Sequence, residues 1–282
     1  MAIQNVPEIF TNIDIAKLDL FVYDFKMSGD AFKSKVNLNL HMFSFLQKGK
    51  KHVHFLESSV DISSKQSILI KRGNCLWSEM VDNDEEYYCK LLFFSENRLR
   101  DFLKKHNHCT NEVEETPPYF ILENDDYIIS YLNSLSTISD APKDFKENIL
   151  SVKFEELMLY LINKYGKAFE SYLQSLTTDD ISTFRTIIEK KVFSNLKIEE
   201  IAFLCHMSLS TFKRKFIKEY KTTPGKWLQN KRLQRAKELL DDENVKPSDI
   251  YLDFGYKNLS NFSAAFKNKF GKSPSLINEV IL

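Results

Sequence analysis

A basic, hydroxyl-bearing stretch extends from Ser208 to Tyr220 and has the sequence SLSTFKRKFIKEY. If this stretch is a helix, Phe212, Phe216 and Tyr220 recur every four residues and share one face. The residues that fall on another face, or beside it, are Ser210, Lys213, Arg214, Ile217 and Lys218. Lysine, arginine and hydroxyl side chains are the groups that contact nucleic-acid phosphates and base edges. The stretch therefore has the residue types of a nucleic-acid-binding helix.

The segment before this stretch predicts a second, shorter helix. Within residues 197–206, the apolar residues at helical spacing are Ile198, Ile201, Ala202 and Cys205. A tight connection follows, so the two helices have the outline of a helix-turn-helix, in which the second helix enters the major groove. A packed helix pair with a solvated charged face would give the same pattern, and this stretch alone does not separate the two interpretations.

The pattern recurs about fifty residues further along the chain. Residues 247–256 predict another short helix, and residues 257–271 predict a longer one that Gly271 ends and Pro274 follows. The phenylalanines of the longer helix again lie four residues apart, at Phe262, Phe266 and Phe270. Its opposite side carries Ser260, Ser263, Ala264 and Lys267. A helix over residues 225–240 would connect the two units as a rigid spacer that packs on both of them.

Residues 182–278 resemble the DNA-binding domain of the AraC/XylS family of bacterial transcription regulators. The segments that carry the resemblance are Glu200-Ile-Ala, Met207-Ser, Phe212 to Phe216, Thr223 to Leu228, Phe254-Gly-Tyr256 and Gly271 to Pro274. Tyr251 stands where the family usually has a small alanine, and Ala264 where many members have a basic or polar residue. The resemblance implies two helix-turn-helix units that bind promoter DNA, and the departures imply that the second unit reads bases less strongly.

We assign the expected DNA contacts to the second helix of each unit. In the first unit, base or phosphate contacts are expected from Ser210, Thr211, Lys213 and Arg214. In the second unit, they are expected from Ser260, Asn261 and Ser263. The residues expected to hold phosphates are Lys218, Lys267 and Lys269. Phosphate contacts position a protein on DNA whereas base contacts specify the sequence, so the two groups should differ when mutated.

The charge distribution favours the same division of the chain. The 282 residues include 39 basic and 39 acidic side chains, so the net charge is zero. Residues 184–282 contain 19 Lys and Arg against 11 Asp and Glu, which is an excess of eight positive charges. A basic excess supplies the attraction to phosphates that underlies nucleic-acid affinity. We therefore expect a DNA-binding domain at residues 182–282 and a separate domain at residues 1–176.

Residues 1–95 predict a β-rich domain. Apolar stretches with partial alternation lie at residues 18–25, 36–46, 52–56, 67–70 and 87–94. Short strands separated by turns are typical of a small barrel or jelly roll. We expect an α+β chain in which a cupin-like β-barrel or jelly roll precedes an all-α domain.

A looser resemblance covers residues 41–106. The segments Phe45 to Gly49, Arg72-Gly-Asn74, Trp77-Ser-Glu79 and Phe93 to Asn97 resemble the N-terminal domain of ExsA-like activators of type III secretion genes. This resemblance implies a regulatory domain that responds to a protein rather than to a small metabolite. The effector itself, whether a small molecule or a protein, stays open.

Helices are predicted at residues 95–108, with Ser95 as N-cap, and at residues 124–138 and 143–175. The last of these has a broad apolar face, from which we select Leu150, Phe154, Leu157 and Leu161 as dimerisation residues. Such a face can cover the β domain and also meet a second copy of itself. Helices in this position often form the dimer interface in AraC-family proteins, so the resemblance implies a homodimer. We expect the helical part of the N-terminal domain to span about 124–176.

Two histidines, His52 and His54, alternate along a predicted strand and share one face. With Glu57 or His41 they could reach one zinc or iron ion, as in cupin enzymes, but the spacing to the glutamate is not the expected one. We interpret them as surface or pocket histidines and expect no metal and no cofactor. The cysteines have no zinc or redox spacing and are interpreted as free thiols in a reducing cytoplasm: Cys75, Cys89, Cys109 and Cys205.

The sequence shows no nucleophile elbow, phosphate loop or paired-carboxylate motif, and no apolar run long enough to cross a bilayer. We interpret the chain as a cytoplasmic transcription regulator, an activator rather than a repressor, and not an enzyme. The expected partners are promoter DNA, a second copy of the chain and RNA polymerase.

Two alternatives remain open. One is a metal-binding cupin enzyme fused to a DNA-targeting domain. The other is an interaction protein that has lost DNA binding, which Tyr251 and Ala264 would explain. Aromatic residues that could line an effector pocket, although such residues in a small barrel are more often part of its core, are Tyr87, Tyr88, Trp77 and Phe93.

Overall fold

The chain divides into two compact units, Met1–Ile181 and Ser182–Leu282. The computed structural model describes residues 2–11, 14, 17–56, 58–81, 86–108, 116–138, 143–177, 184–191, 196–241 and 245–276. Glu57 and Cys109, and most of the linker expected at residues 177–180, lie outside these ranges.

The strands of the N-terminal unit form two five-stranded sheets within the described residues. They are β1 (Ile3–Val6), β2 (Leu20–Met27), β3 (Ala31–Leu38), β4 (His41–Lys48), β5 (Lys50–His54), β6 (Ser59–Ser63), β7 (Gln66–Ile70), β8 (Gly73–Met80), β9 (Tyr87–Phe94) and β10 (Tyr119–Glu123). The outer sheet has the order β1-β3-β8-β5-β6, and the middle sheet has the order β10-β7-β4-β9-β2. The neighbours are antiparallel, apart from the parallel pair of β1 and β3.

The middle sheet is buried on both faces. One face, which includes Met42 and Phe93, packs against outer-sheet residues such as Val53. The other face, which includes Phe43 and Leu92, packs against helices. Burial on both sides explains why β4 and β9 are almost continuously apolar instead of alternating. The expected α+β class and β-rich N-terminal domain are confirmed, but the described strands form two separate sheets and not a closed barrel.

Helices cover the free face of the middle sheet. They are α1 (Glu96–Lys105), α2 (Asp126–Ser136), α3 (Lys143–Tyr165) and α4 (Lys167–Ser175). The Ser95 hydroxyl accepts the Arg98 N–H at the start of α1, as expected for an N-cap. The prediction of a single helix over residues 143–175 is wrong, because Gly166 adopts a φ of 58° and separates α3 from α4. Among the described helices, none has the length and apolar character needed to cross a membrane.

The expected dimerisation residues are buried inside the N-terminal unit. All four belong to the core between the middle sheet and the helices: Leu150, Phe154, Leu157 and Leu161. The Phe154 ring lies 5.2 Å from the Phe94 ring of β9. The apolar face of α3 is therefore used within the chain, and these residues present no surface to a second copy.

The C-terminal unit is helical. Its described helices are α5 (Phe184–Lys191), α6 (Ile198–Leu204), α7 (Leu209–Tyr220), α8 (Pro224–Leu240), α9 (Pro247–Ile250) and α10 (Leu259–Phe270). Pro224 occupies the first turn of α8, where its missing N–H costs no intrahelical hydrogen bond. Leu233, Ala236 and Leu240 on α8 pack with the phenylalanines of α10 in one core. The Trp227 ring at the start of α8 also lies 5.6 Å from the Phe216 ring of α7, so the connecting helix packs against both α7 and α10, as expected of the spacer.

Candidate nucleic-acid interface

Local hydrogen bonds fix the geometry of α6, the turn and α7. The Glu200 carboxylate accepts the Lys197 backbone N–H at 2.8 Å at the start of α6. His206 adopts a left-handed φ of 55°, and the Met207 N–H donates to the Ala202 carbonyl at 3.0 Å, which closes the turn. The Ser208 hydroxyl then accepts the N–H of the third residue that follows it, at 3.2 Å, and starts α7.

The two sides of α7 differ as its sequence predicts. Phe212 and Phe216 are buried, and the Phe184 ring of α5 lies 5.5 Å from the Phe212 ring in an edge-on arrangement. The α7 residues expected to contact DNA are exposed: Ser210, Thr211, Lys213, Arg214 and Lys218. The Ser208 hydroxyl lies 3.0 Å from the Ser210 hydroxyl and 2.9 Å from that of Thr211, so these groups also form a cluster at the helix start.

The second helix pair repeats this arrangement with a shorter first helix. The Lys246 N–H donates to the Asp249 carboxylate at 3.2 Å at the start of α9. Gly255 adopts a φ of 80° after α9, and a side chain there would also come within 3.1 Å of the Arg232 guanidinium. The Asn258 side chain accepts the N–H of the third residue that follows it at 2.8 Å and starts α10.

Some residues of α10 differ from expectation. Ser260, Asn261 and Lys267 are exposed, but Ser263 is partly buried. The Lys269 ammonium donates to a backbone carbonyl of α8 and lies 4.9 Å from the centre of the Phe270 ring. Burial lowers the pKa of this ammonium, and the nearby Lys231 lowers it further. Lys269 is therefore directed towards α8 and not held free for a phosphate.

One basic residue beside this interface was not selected from the sequence. Lys221 is exposed directly after α7 and adopts a left-handed φ of 55°. Its position in the sequence could have indicated this role, because a basic residue three positions after Lys218 adds a positive charge at the same end of α7. Lys215, on the other flank of α7, instead lies 4.7 Å from the centre of the Phe184 ring.

The three histidines considered as metal ligands do not meet at one site. His52 and His54 do share the solvent-facing side of β5, where His52 Nδ1 lies 2.6 Å from the Asp61 carboxylate. His41 is buried in the middle sheet, its Nδ1 accepts the Arg72 N–H at 3.2 Å, and burial lowers its pKa to about 3. Within the described residues, no group of three or more His, Cys, Asp or Glu side chains has the geometry of a metal site.

The aromatic residues suggested for an effector pocket do not line a common surface. Tyr87, Trp77 and Phe93 are buried in the core between the two sheets. Tyr88 lies on the other face of β9, where its hydroxyl donates to the Asp24 carboxylate at 2.7 Å. The three buried aromatic side chains are therefore packing residues of the core between the sheets.

A buried ion pair, which the sequence did not indicate, lies between the sheets beside these aromatics. The Lys51 ammonium is 2.7 Å from a Glu79 carboxylate oxygen, and both side chains are almost completely buried. The ammonium also lies 4.0 Å from the centre of the Trp77 ring, which adds a cation–π contact. Lys51 and Glu79 face each other on the neighbouring strands β5 and β8.

Two family models match the chain. Residues 41–172 match the ExsA N-terminal regulatory domain, and residues 200–279 match a helix-turn-helix domain. The second match spans α6 to α10, which are the elements of the two helix pairs described above. Together the models cover most of the chain.

Curated relatives match across both units. The chain is 23% identical over 255 residues to the HTH-type transcriptional regulator ExsA of Pseudomonas aeruginosa, covering 86% of this chain and 87% of that protein. It is 26% identical over 224 residues to the virulence regulon transcriptional activator VirF of Yersinia enterocolitica, covering 76% and 82%. The solved structure of ToxT from Vibrio cholerae O395 is 16% identical, with a TM-score of 0.38 over 92% of this chain and 96% of that one.

The helix pairs, the two family models and the relatives agree on one class of protein. These relatives are transcription regulators and not enzymes, which leaves the cupin-enzyme alternative without support. The chain belongs to the AraC-type family of DNA-binding transcription regulators, with an N-terminal domain of the ExsA type.

Proposed function

We propose that α7 and α10 enter successive major-groove segments on one face of promoter DNA. The observation that carries this proposal is the repeated geometry of the two helix pairs, each with a capped helix start and an exposed polar face. The connecting helix α8 has 17 residues. At 1.5 Å per residue it is roughly 25 Å long, and with the width of a flanking helix, about 10 Å, it suits a separation of one DNA turn.

Within this proposal the exposed residues of α7 have different roles. Lys213 and Arg214 lie on the exposed face of α7 and contact base edges, because both can donate to guanine in the major groove. Ser210 and Thr211 contact bases or phosphates near the helix start. Lys218 holds a phosphate and positions the helix.

In α10, Ser260 and Asn261 supply base contacts, and Lys267 supplies a phosphate contact. Ser263 and Lys269 are the weaker assignments, because one is partly buried and the other is directed towards α8.

A footprint of the full chain on DNA selected from a random-sequence pool tests this docking. We expect two protected major-groove segments about one helical turn apart, and affinity that falls steeply with salt because phosphate contacts release counterions. Residues 182–282 alone should give the same two segments. Protection of a single segment would show that one helix pair does not dock, and salt-insensitive binding would contradict the phosphate contacts.

We also propose that the protein activates transcription in the cytoplasm through contact with RNA polymerase, under control of its N-terminal unit. VirF is named a transcriptional activator, and the model that matches residues 41–172 describes a regulatory domain, which supports this assignment. The controlling signal is a small effector or a regulatory protein. A reporter driven by the selected site should rise when the chain is expressed. A fall below the reporter-only level would instead indicate a repressor.

The homodimer proposal now rests on different residues of α3. Phe145, Val152 and Leu159 are 56%, 62% and 40% exposed and lie seven residues apart along one side of the helix. A seven-residue apolar repeat is the spacing with which one helix packs along another. We propose that this α3 stripe, Phe145, Val152 and Leu159, packs against a second copy.

Sedimentation of the full chain tests the dimer. Val152→Lys with Leu159→Lys should raise the monomer fraction without unfolding the chain, because both side chains are exposed. Ile3→Lys is the matched control, since Ile3 is 54% exposed on β1. A wild-type monomer at tens of micromolar, or a dimer unaffected by the double substitution, would contradict this interface.

A further inference from the structure

Ile217 is an aliphatic side chain on the polar face of α7. It is 46% exposed, whereas Phe212 and Phe216 on the same helix are buried. Single exposed aliphatic side chains are common on protein surfaces, so exposure alone indicates nothing. The position of Ile217 relative to the cations of α7 is what gives it significance.

The helical geometry puts Ile217 between two cations on the exposed side of α7. With about 100° of rotation per residue, Ile217 lies about 40° from Lys213 on one side and about 60° from Arg214 on the other. Ser210, two turns earlier, points about 20° away from it. The Ile217 side chain is not part of the core that contains Phe212, because it is exposed to solvent.

We propose that Ile217 contacts the C5-methyl group of a thymine and so determines the preferred base at one position. The inference rests on the proposed docking of α7 in the major groove. Thymine is the base that presents an apolar group there, and apolar side chains distinguish it by contact with that methyl. An isoleucine between two cations would otherwise weaken a face that contacts base edges, since it supplies no hydrogen bond.

The second unit lacks this feature, which confines the expected effect to α7. Fifty residues after Ile217 the chain has Lys267, and fifty residues after Arg214 it has Ala264. Ile217 lies three residues from Arg214, which is about 4.5 Å along the helix axis. This distance is close to the base-pair rise of roughly 3.4 Å. The thymine is therefore expected within about two base pairs of the pair that Arg214 contacts.

Deoxyuridine substitution tests the contact, because deoxyuridine differs from thymidine only by the missing methyl group. The full chain is used to select a duplex from a random-sequence pool, and Arg214→Ala locates its base pair by lost preference there. Each thymine within two base pairs is then replaced singly by deoxyuridine. We expect the wild type to lose about three- to fivefold in affinity at one thymine, roughly the effect of one methyl group in an apolar contact.

Variants separate this contact from a structural effect. Ile217→Ala should show no deoxyuridine penalty, and Ile217→Val should keep most of it. Leu252→Ala is the matched control, because Leu252 is 62% exposed outside α7 and α10, and it should keep the full penalty. A wild type indifferent to every substitution, or an Ile217→Ala variant with an undiminished penalty, would overturn the inference. Failure of the pool to enrich any sequence would instead overturn the proposed docking itself, and this inference with it.

Discussion

In the first helix-turn-helix unit, α7 exposes Lys213 and Arg214, whereas the residues fifty positions later in α10 are Ser263 and Ala264. Cationic side chains that can donate to base edges are thus replaced by a small hydroxyl and a methyl group. The faces that we propose to meet DNA have diverged in chemistry.

The residues that cap and end the helices of the two units have diverged much less. Ser208 and Asn258 both cap their helices by accepting the N–H of the third following residue. Lys221 and Gly271 both end their helices in the left-handed conformation. Because the groups that set the local fold differ from those that face solvent, the surface that we propose to read DNA can change while the helix pair stays intact.

The largest expected effect of this difference is on binding. Arg214→Ala should weaken binding to the selected site by about 1–3 kcal/mol and relax the preference at one base pair, as for a lost bidentate contact. Ser260→Ala and Ser263→Ala should each cost less. Anisotropy titrations on a panel of single-base variants would measure all three. Equal costs in the two helices would show that the second unit reads bases as strongly as the first.

A smaller effect is expected at the helix ends. Gly271→Lys should destabilise α10 by about 1–2 kcal/mol, since a lysine resists the left-handed conformation. Lys221→Gly should stabilise α7 by about 0.5–1 kcal/mol, because the freedom of glycine in the unfolded chain offsets part of the gain. Hydrogen exchange of the α7 and α10 amides would measure both.

Gly271→Asn is the control for these end variants, because asparagine tolerates the left-handed region better than lysine. A Cβ at this position would meet no heavy atom within 4 Å, so the cost is one of backbone conformation. A Gly271→Asn variant as unstable as Gly271→Lys would point to a contact and contradict this account.

The smallest expected difference lies at the starts of α6 and α9. Glu200→Ala should cost about 1 kcal/mol and Asp249→Ala about 0.5 kcal/mol. The Glu200 hydrogen bond is shorter, 2.8 Å against 3.2 Å, and its side chain is buried while Asp249 is exposed. Exchange rates in the first turn of each helix would rank the two variants, and the reverse ranking would mean that burial does not strengthen the cap.

Features with local causes were predicted well from the sequence. The cap at Ser95, the extent of α7 and the end of α10 at Gly271 depend on residues within one turn, and the structure agrees with these predictions. The stretch at 36–46 was interpreted as one strand, but it contains β3 and β4, which belong to different sheets. Strand β8 was not predicted. Strand pairing joins distant segments, so alternation within one stretch does not reveal it.

Prediction of the candidate site from the sequence was limited in the same way. Exposure on α7 follows from helical spacing and could be predicted. The direction of Lys269 could not, because the carbonyl that accepts its proton belongs to Asn230 on another helix. The apolar face at Leu157 and Leu161 was also ambiguous, because a helix pattern does not say whether the chain's own sheet or a second copy covers it.

The buried pair of Lys51 and Glu79 restricts how this chain can evolve. Loss of either partner leaves an uncompensated charge between the sheets and should cost about 3–5 kcal/mol, whereas replacing both by apolar residues of similar volume can be nearly neutral. The route between the two states passes through a single-substitution intermediate that folds poorly. Descendants of this chain should therefore keep both residues or exchange both, and the two positions should co-vary across its lineage.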